Sequence, residues 1–150
     1  MRALAHDYPS GHHLPAHAHT TAQLVFAAAG VMTVQTPDGA WTVPPNRAVW
    51  VPRRVRHSIR MFGAVAMRTL YLPPEMLPGR MPARCTVLEV SPLLREIVLV
   101  AVARGGLRRG SRADENLLRV LLDELRPLAG ATASAPFLPL PRDPRALRVA

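Results

Sequence analysis

The chain has 150 residues, a single cysteine and a formal net charge of +9. That length suffices for one domain with a sizeable core, so neither disulfides nor a structural metal is needed to hold the fold, and a lone Cys85 excludes an internal disulfide framework and fits a reducing compartment. No basic segment followed by an apolar run opens the chain, and no apolar run approaches the roughly 18 residues of a membrane span, which predicts a soluble cytoplasmic protein with no membrane partner.

All of the positive side-chain charge is arginine, for the chain contains no lysine. Arg53, Arg54 and Arg56 form one cluster and Arg108, Arg109 and Arg112 another. Both permit contact with phosphate, but small clusters of this kind read first as a solvated face.

Residues 1–15 hold two prolines and three histidines, His6, His12 and His13, at no clear period, and read as an extended arm whose histidines face solvent. Residues 16–26 form the first strand, Gly30 breaks the run, and residues 31–36 resume it. Asp38-Gly39 predicts a tight hairpin into residues 40–43. Pro44-Pro45-Asn46 ends that strand because proline has no amide hydrogen for the ladder. Residues 48–51, 57–62, 65–72 and 85–90 supply further strands, with Gly63 marking a turn. Many short strands punctuated by glycine and proline argue for a β-sandwich or barrel.

At Ser91 the pattern changes. Ser91-Pro92 places a capping residue before a proline at the first helical position, which predicts a helix over residues 92–104, ended by Gly105-Gly106. Ser111 with Asp114 resembles a capping box for a second helix over residues 113–126, on which Leu117, Leu118, Leu121, Leu122 and Leu125 make one broad stripe. Such a stripe covers the barrel and leaves part for a partner chain, which predicts a homodimer through these helices. Pro127 ends the second helix, residues 130–141 read as a linker, and Asp143-Pro144-Arg145 resembles the first turn of a further element. Cys85 has no visible redox partner and reads as structural.

Three histidines and a glutamine fall at metal-ligand spacing within this frame. His17 and His19 are separated by one residue. Alternate side chains on a strand share a face, so His17, His19 and Gln23 form one polar file if the strand runs unbroken, and His57 opens a strand that can face them. Three imidazoles and an amide oxygen inside a barrel suit a divalent transition metal such as nickel, zinc, iron, copper or manganese, against the plainer reading of hydrogen-bonded core histidines. The set carries no negative charge, so a bound cation would attract an anionic effector or water. Met32, Met61 and Met67 are candidates to line the ligand space, against the plainer reading of core filling. Residues 11–72 hold one carboxylate, Asp38, which the hairpin turn uses. With no acid or base in the barrel other than histidine, no catalytic residue is assigned and a sensor is expected rather than an enzyme.

Gly11, five residues, His17-Ala18-His19, three residues, Gln23, six residues and Gly30 resemble the first cupin motif, with glutamine where most metal cupins carry glutamate. Pro52, Arg53, Arg54, two residues and His57 resemble the second, with Arg54 in place of the usual glycine and Met61 in place of asparagine. Further runs, including Ala22-Gln23-Leu24-Val25, Arg47-Ala48-Val49-Trp50-Val51-Pro52, Ser91-Pro92-Leu93-Leu94-Arg95-Glu96 and Leu121-Leu122-Asp123-Glu124-Leu125, are similar to the N-terminal effector-binding cupin domain of AraC-type transcriptional regulators. The resemblance implies a mainly β fold: a cupin-type β-barrel (double-stranded β-helix) over residues 1–90, followed by two C-terminal α-helices for dimerisation over residues 91–128. Residues 129–150 would lead toward a helix-turn-helix domain outside this chain. It further implies a small-molecule or metal effector in the barrel, and DNA contact only through that further domain. The alternative is a metal-dependent cupin enzyme, an oxygenase or isomerase, acting alone on a small organic substrate.

Overall fold

A computed structural model describes residues 1–79, 81–125 and 137–138. Its strands are β1 (Arg2–Tyr8), β2 (His13–His17), β3 (Ala22–Thr36), β4 (Gly39–Val43), β5 (Arg47–Val51), β6 (His57–Leu72), β7 (Thr86–Glu89) and β8 (Phe137–Leu138). Two helices, α1 (Pro92–Ala103) and α2 (Arg112–Glu124), lie between β7 and β8. Every pairing is antiparallel, in a single sheet ordered β1-β6-β3-β4-β8, with β2 also on β6 and β5 joining β3 to β7. This is the mainly β architecture with two following helices that the sequence predicts.

The two longest strands organise the sheet by exchanging partners halfway along. β3 keeps β6 on one edge throughout, while its other edge takes β5 early, with Gln23 opposite Val51, and β4 later, with Met32 opposite Val43. β6 pairs with β2 before Gly63 and with β1 after it. Gly30 and Gly63 were expected to end strands; instead both lie inside them, at φ +80° and +72°. A left-handed glycine bends the strand and shifts its register without surrendering the ladder. At Gly30 glycine is also required by close approach, since a Cβ there would sit 2.2 Å from the Ala64 carbonyl oxygen.

Residues 1–15 are not an arm. β1 pairs along its whole length with β6, from Arg2 opposite Tyr71 to Tyr8 opposite Val65, and buries Ala3. The apolar alternation that marks a half-buried strand is missing there because His6 and Tyr8 stand on the cavity side of the strand. The Met1 ammonium donates to the Leu107 carbonyl at 3.0 Å and to the Met76 sulfur at 3.3 Å, and the Ala3 amide donates to the Gly105 carbonyl at 3.3 Å. β1 is thereby tied to the turn between the helices.

Alternate residues of β3 feed two cores. Leu24 and Phe26 pack with Trp50, Leu70 and Leu72 against Leu94, Ile97, Val98, Leu121 and Leu125 of the helical segment. Val25, Ala27 and Val34 point the other way, into the barrel, with Val49, Ile59 and Met61. A strand buried on both faces reads as a continuous apolar run, which is why Leu24-Val25-Phe26-Ala27 shows no alternation. Each large side chain so buried contributes about 1.5–3 kcal/mol relative to an exposed one.

The helices begin as their caps dictate. Ser91 Oγ accepts from the Leu94 amide at 3.0 Å and Ser111 Oγ from the Asp114 amide at 3.4 Å. Leu121 and Leu125 are fully buried, and Leu117, Leu118 and Leu122 pack partly buried on the same core, so the leucine stripe covers this chain's own barrel. Buried Asp114 joins the two helices, accepting from the Arg104 guanidinium at 2.6 Å and the Arg108 amide at 3.1 Å. Of the segment expected to be a linker, Phe137–Leu138 pair with Trp41 and Ala40 as β8. The rest of it, the turn at Asp143-Pro144-Arg145 and the end of the second helix at Arg126 and Pro127 lie outside the described residues. Among the described residues no helix is long and apolar enough to cross a membrane.

Candidate metal centre

The strand expected to carry His17, His19 and Gln23 in one file does not run unbroken. β2 ends at His17 and β3 starts at Ala22, so His19 lies on the connection between them. Two local contacts nevertheless bring the imidazoles together. His17 stands opposite His57 in the β2–β6 ladder. The Arg54 amide donates to the His19 carbonyl at 2.7 Å, pinning the connection to the turn that precedes β6. Arg54 takes φ +64° to do so, at the position where the cupin motif has glycine. The ring centroids then lie 4.8 Å apart for His17 and His19, 4.4 Å for His17 and His57, and 5.5 Å for His19 and His57.

Hydrogen bonding fixes which nitrogens face inward. His17 Nδ1 is 2.7 Å from the Pro15 carbonyl and His57 Nδ1 is 3.0 Å from that of Val55. A carbonyl oxygen only accepts, so each Nδ1 carries a hydrogen, which in the neutral ring leaves the lone pair on Nε2. Burial holds His57 below the ordinary imidazole range despite the opposing Val55 hydrogen bond, with the charges of His17 and His19 adding to the lowering. Burial likewise lowers His19, helped by His17 and Arg2. Both shifts favour the neutral ring.

Gln23, next to the start of β3, shares the inward parity of Val25 and Ala27 and is 2% exposed. Its Nε2 donates to Thr69 Oγ1 at 2.9 Å and to the Tyr71 hydroxyl at 3.4 Å. Its Oε1, with His19 Nε2 and His57 Nε2, is buried without a hydrogen-bond partner. An orphaned buried polar atom costs about 1–3 kcal/mol, so three together require a ligand or a reason.

The donor set fits a divalent cation. One nitrogen from each of His17, His19 and His57 lies within 4.8 Å of the others. Imidazole nitrogens bonded at about 2.1 Å to one tetrahedral ion stand roughly 3.4 Å apart, so the rings would draw together from their present spacing to enclose it. Neutral imidazoles with free lone pairs and an amide oxygen are what a borderline first-row cation accepts.

A cavity of about 260 Å³ opens beside these groups, walled by His6, Tyr8, Leu14, His17, Gln23, Met67 and Tyr71 among others. No aspartate or glutamate is among its lining residues. Asp7, between two inward residues of β1, turns outward and pairs with Arg68 at 2.8 Å. Of the methionines singled out from the sequence, Met67 lines the cavity, whereas Met32 and Met61 are cross-strand partners packed in the barrel core. His6, Tyr8, Thr69 and Tyr71 were not singled out. The signal for them was the i, i+2 spacing of His6 with Tyr8 and of Met67, Thr69 and Tyr71, legible only once those segments are known to be strands. Cys85 lies apart from the cavity lining, and burial, with the charge of Asp38, pushes its thiol up to about 11.

The sequence profile of the family described as AraC-like ligand binding domain matches residues 2–135. The HTH-type transcriptional regulator NimR of Escherichia coli (strain K12) is 35% identical over 111 residues, which make up 74% of this chain and 40% of NimR. The chain thus spans less than half the length of that curated relative. Among solved structures, ToxT from Vibrio cholerae O395 aligns with a TM-score of 0.61 at 6% identity, over 81% of this chain and 51% of ToxT. Unsaturated-fatty-acid-bound ToxT from Vibrio cholerae strain SCE256 aligns at 0.57 and 9% identity, over the same 81% and 51%. At such identities the likeness speaks for the fold alone.

Proposed function

The chain belongs to the AraC-like ligand binding domain family, and from that premise we propose that it is the receptor part of a bacterial transcription regulator whose barrel holds a divalent cation at His17, His19 and His57. Gln23 is a fourth ligand or orients a bound water. The observation that carries the reading is the set of three imidazole nitrogens within 4.8 Å of one another beside a cavity lined without a carboxylate. The bound cation would keep its positive charge and hold an anionic group of a small effector in the cavity, with Met67 on its wall. That charge distribution supports recognition rather than turnover, because the cavity offers no carboxylate to move protons.

On this reading DNA is contacted by a helix-turn-helix segment of the kind NimR is named for, and the protein works in the cytoplasm. The helices would join two copies. Leu93 and Val100, one heptad apart on α1, are 51% and 36% exposed and Val120 of α2 is 40% exposed, which supports a second copy as their cover. Elemental analysis of protein purified without a chelating tag tests the central claim, with about one equivalent of a first-row metal expected. Metal-free protein that also ignores added zinc, nickel, iron, copper and manganese would refute it. Sedimentation at low micromolar concentration tests the pairing of copies, and a monomer there would count against the helices as its interface.

A further inference from the structure

The groups of the site are not all oriented in the same way. His17 and His57 are turned by backbone carbonyls, but Gln23 is an amide with a donor end and an acceptor end of nearly the same size, and which end is left free decides whether it can ligate a cation. Thr69, 0% exposed on β6, supplies the answer. Its hydroxyl donates to the Leu24 carbonyl at 3.0 Å. With its one hydrogen so committed, Thr69 Oγ1 meets Gln23 only as an acceptor, at 2.9 Å from Nε2. The reversed amide would set two acceptor oxygens against each other and leave a buried NH2 without its partner. Tyr71 agrees with this assignment, since its hydroxyl accepts the second Nε2 hydrogen and keeps its own for another partner.

We propose that Thr69 is a positioning residue for the metal site: through the chain Leu24 carbonyl, Thr69 hydroxyl, Gln23 amide it holds the amide oxygen toward His17, His19 and His57, so that the site presents acceptors alone and selects a cation. The inference rests on the metal reading above and adds a residue that touches neither metal nor effector. Glutamine, unlike the glutamate of most metal cupins, has distinguishable ends, so this chain needs a device that a carboxylate site does not.

The test is a zinc(II) titration against a chromophoric chelator, with the unfolding midpoint of each metal-free variant measured in parallel. Thr69→Val keeps the shape and removes the hydroxyl; it should weaken zinc binding about 10- to 100-fold, the range for loss of a group that orients a ligand. Thr69→Ser should recover wild-type affinity to within about threefold. In a Gln23→Glu background, where both ends are oxygen, Thr69→Val should cost less than about threefold, a difference that mere loss of packing would not produce. Equal losses in the two backgrounds, or no loss in either, would overturn the assignment while leaving the metal site standing. A wild type that binds no zinc overturns both. A second measurement needs no variant: in the wild type the Gln23 side-chain carbonyl 13C resonance should shift on zinc addition while its NH2 protons stay hydrogen-bonded. An unmoved carbonyl resonance would mean that the oxygen does not face the ion.

Discussion

Arg54 shows how much one backbone angle decides here. At φ +64° it occupies the left-handed region, which costs a residue with a Cβ about 1 kcal/mol or more, and its amide hydrogen holds the connection that carries His19. Arg54→Gly relieves that cost and keeps the amide. Against it stands a smaller loss from the freer unfolded chain, so the substitution should raise stability by about 0.5–1 kcal/mol. Denaturant unfolding would report this as a higher midpoint at unchanged slope; a lower midpoint would mean that the arginine side chain contributes contacts worth more than the strain. Much of the site was legible at this scale. His17, His19 and His57 stood out because few chains place imidazoles so closely, and Gln23 because it shares their spacing. Thr69, Tyr8 and Tyr71 did not, since their types are ordinary strand residues and only the register of β1 and β3 on β6 brings them to the cavity.

Among the elements, β3 and β6 depend on glycine for their bends, and the two glycines separate two costs. Gly30 is left-handed and closely approached, whereas at Gly63 a Cβ would meet nothing within 4 Å. Gly63→Ala should therefore cost about 1 kcal/mol, the conformational term alone. Gly30→Ala should cost at least about 3 kcal/mol, because the Ala64 carbonyl must also move. Midpoints that fall equally would show that the ladder absorbs the clash. The helical pair makes a different claim. The Arg108 amide first, then the guanidinium groups of Arg104 and Arg108, hold the Asp114 carboxyl below its ordinary value of 3.8. A carboxyl of that kind takes up protons more readily in the unfolded chain, so its stabilising contribution is present above pH 3.8 and lost as the pH falls through the lower folded value. Asp114→Asn should melt well below the wild type at pH 7, and the gap should close on acidification; a gap that is constant with pH would assign the effect to packing. The hairpin at Asp38-Gly39 and both helix starts were readable from turn and cap chemistry, which is local. β1 and β2 were not, because the cavity side of β1 carries His6 and Tyr8 and β2 sets a single large aliphatic, Leu14, ahead of His17, too little for an apolar alternation.

For the molecule as a whole, β3 places one face in the barrel core and the other on the helices, so binding in the barrel and the seating of the helices draw on one cooperative structure. A cation that binds the folded chain alone stabilises it by about 2.7 kcal/mol at a concentration 100 times its dissociation constant. For a domain of this size that is a rise in Tm of several degrees, about 2–4 °C per kcal/mol. Calorimetry should show such a rise on adding zinc, reversal by a chelator, and no rise in His57→Ala; a shift that survives the loss of His57 would place the ion elsewhere. The general architecture was foreseeable because glycine and proline punctuate the strands and serine caps the helices. The branching of the sheet was not, since partner exchange along β3 and β6 leaves no mark in either segment alone. One practical consequence follows from the seat of the first residue. Its nitrogen and the Ala3 amide both donate to carbonyls of the turn that joins the helices, so a displacement of β1 would be felt on that turn. Fluorescent reporters for screening effectors therefore belong there, outside the cavity and yet mechanically joined to its wall.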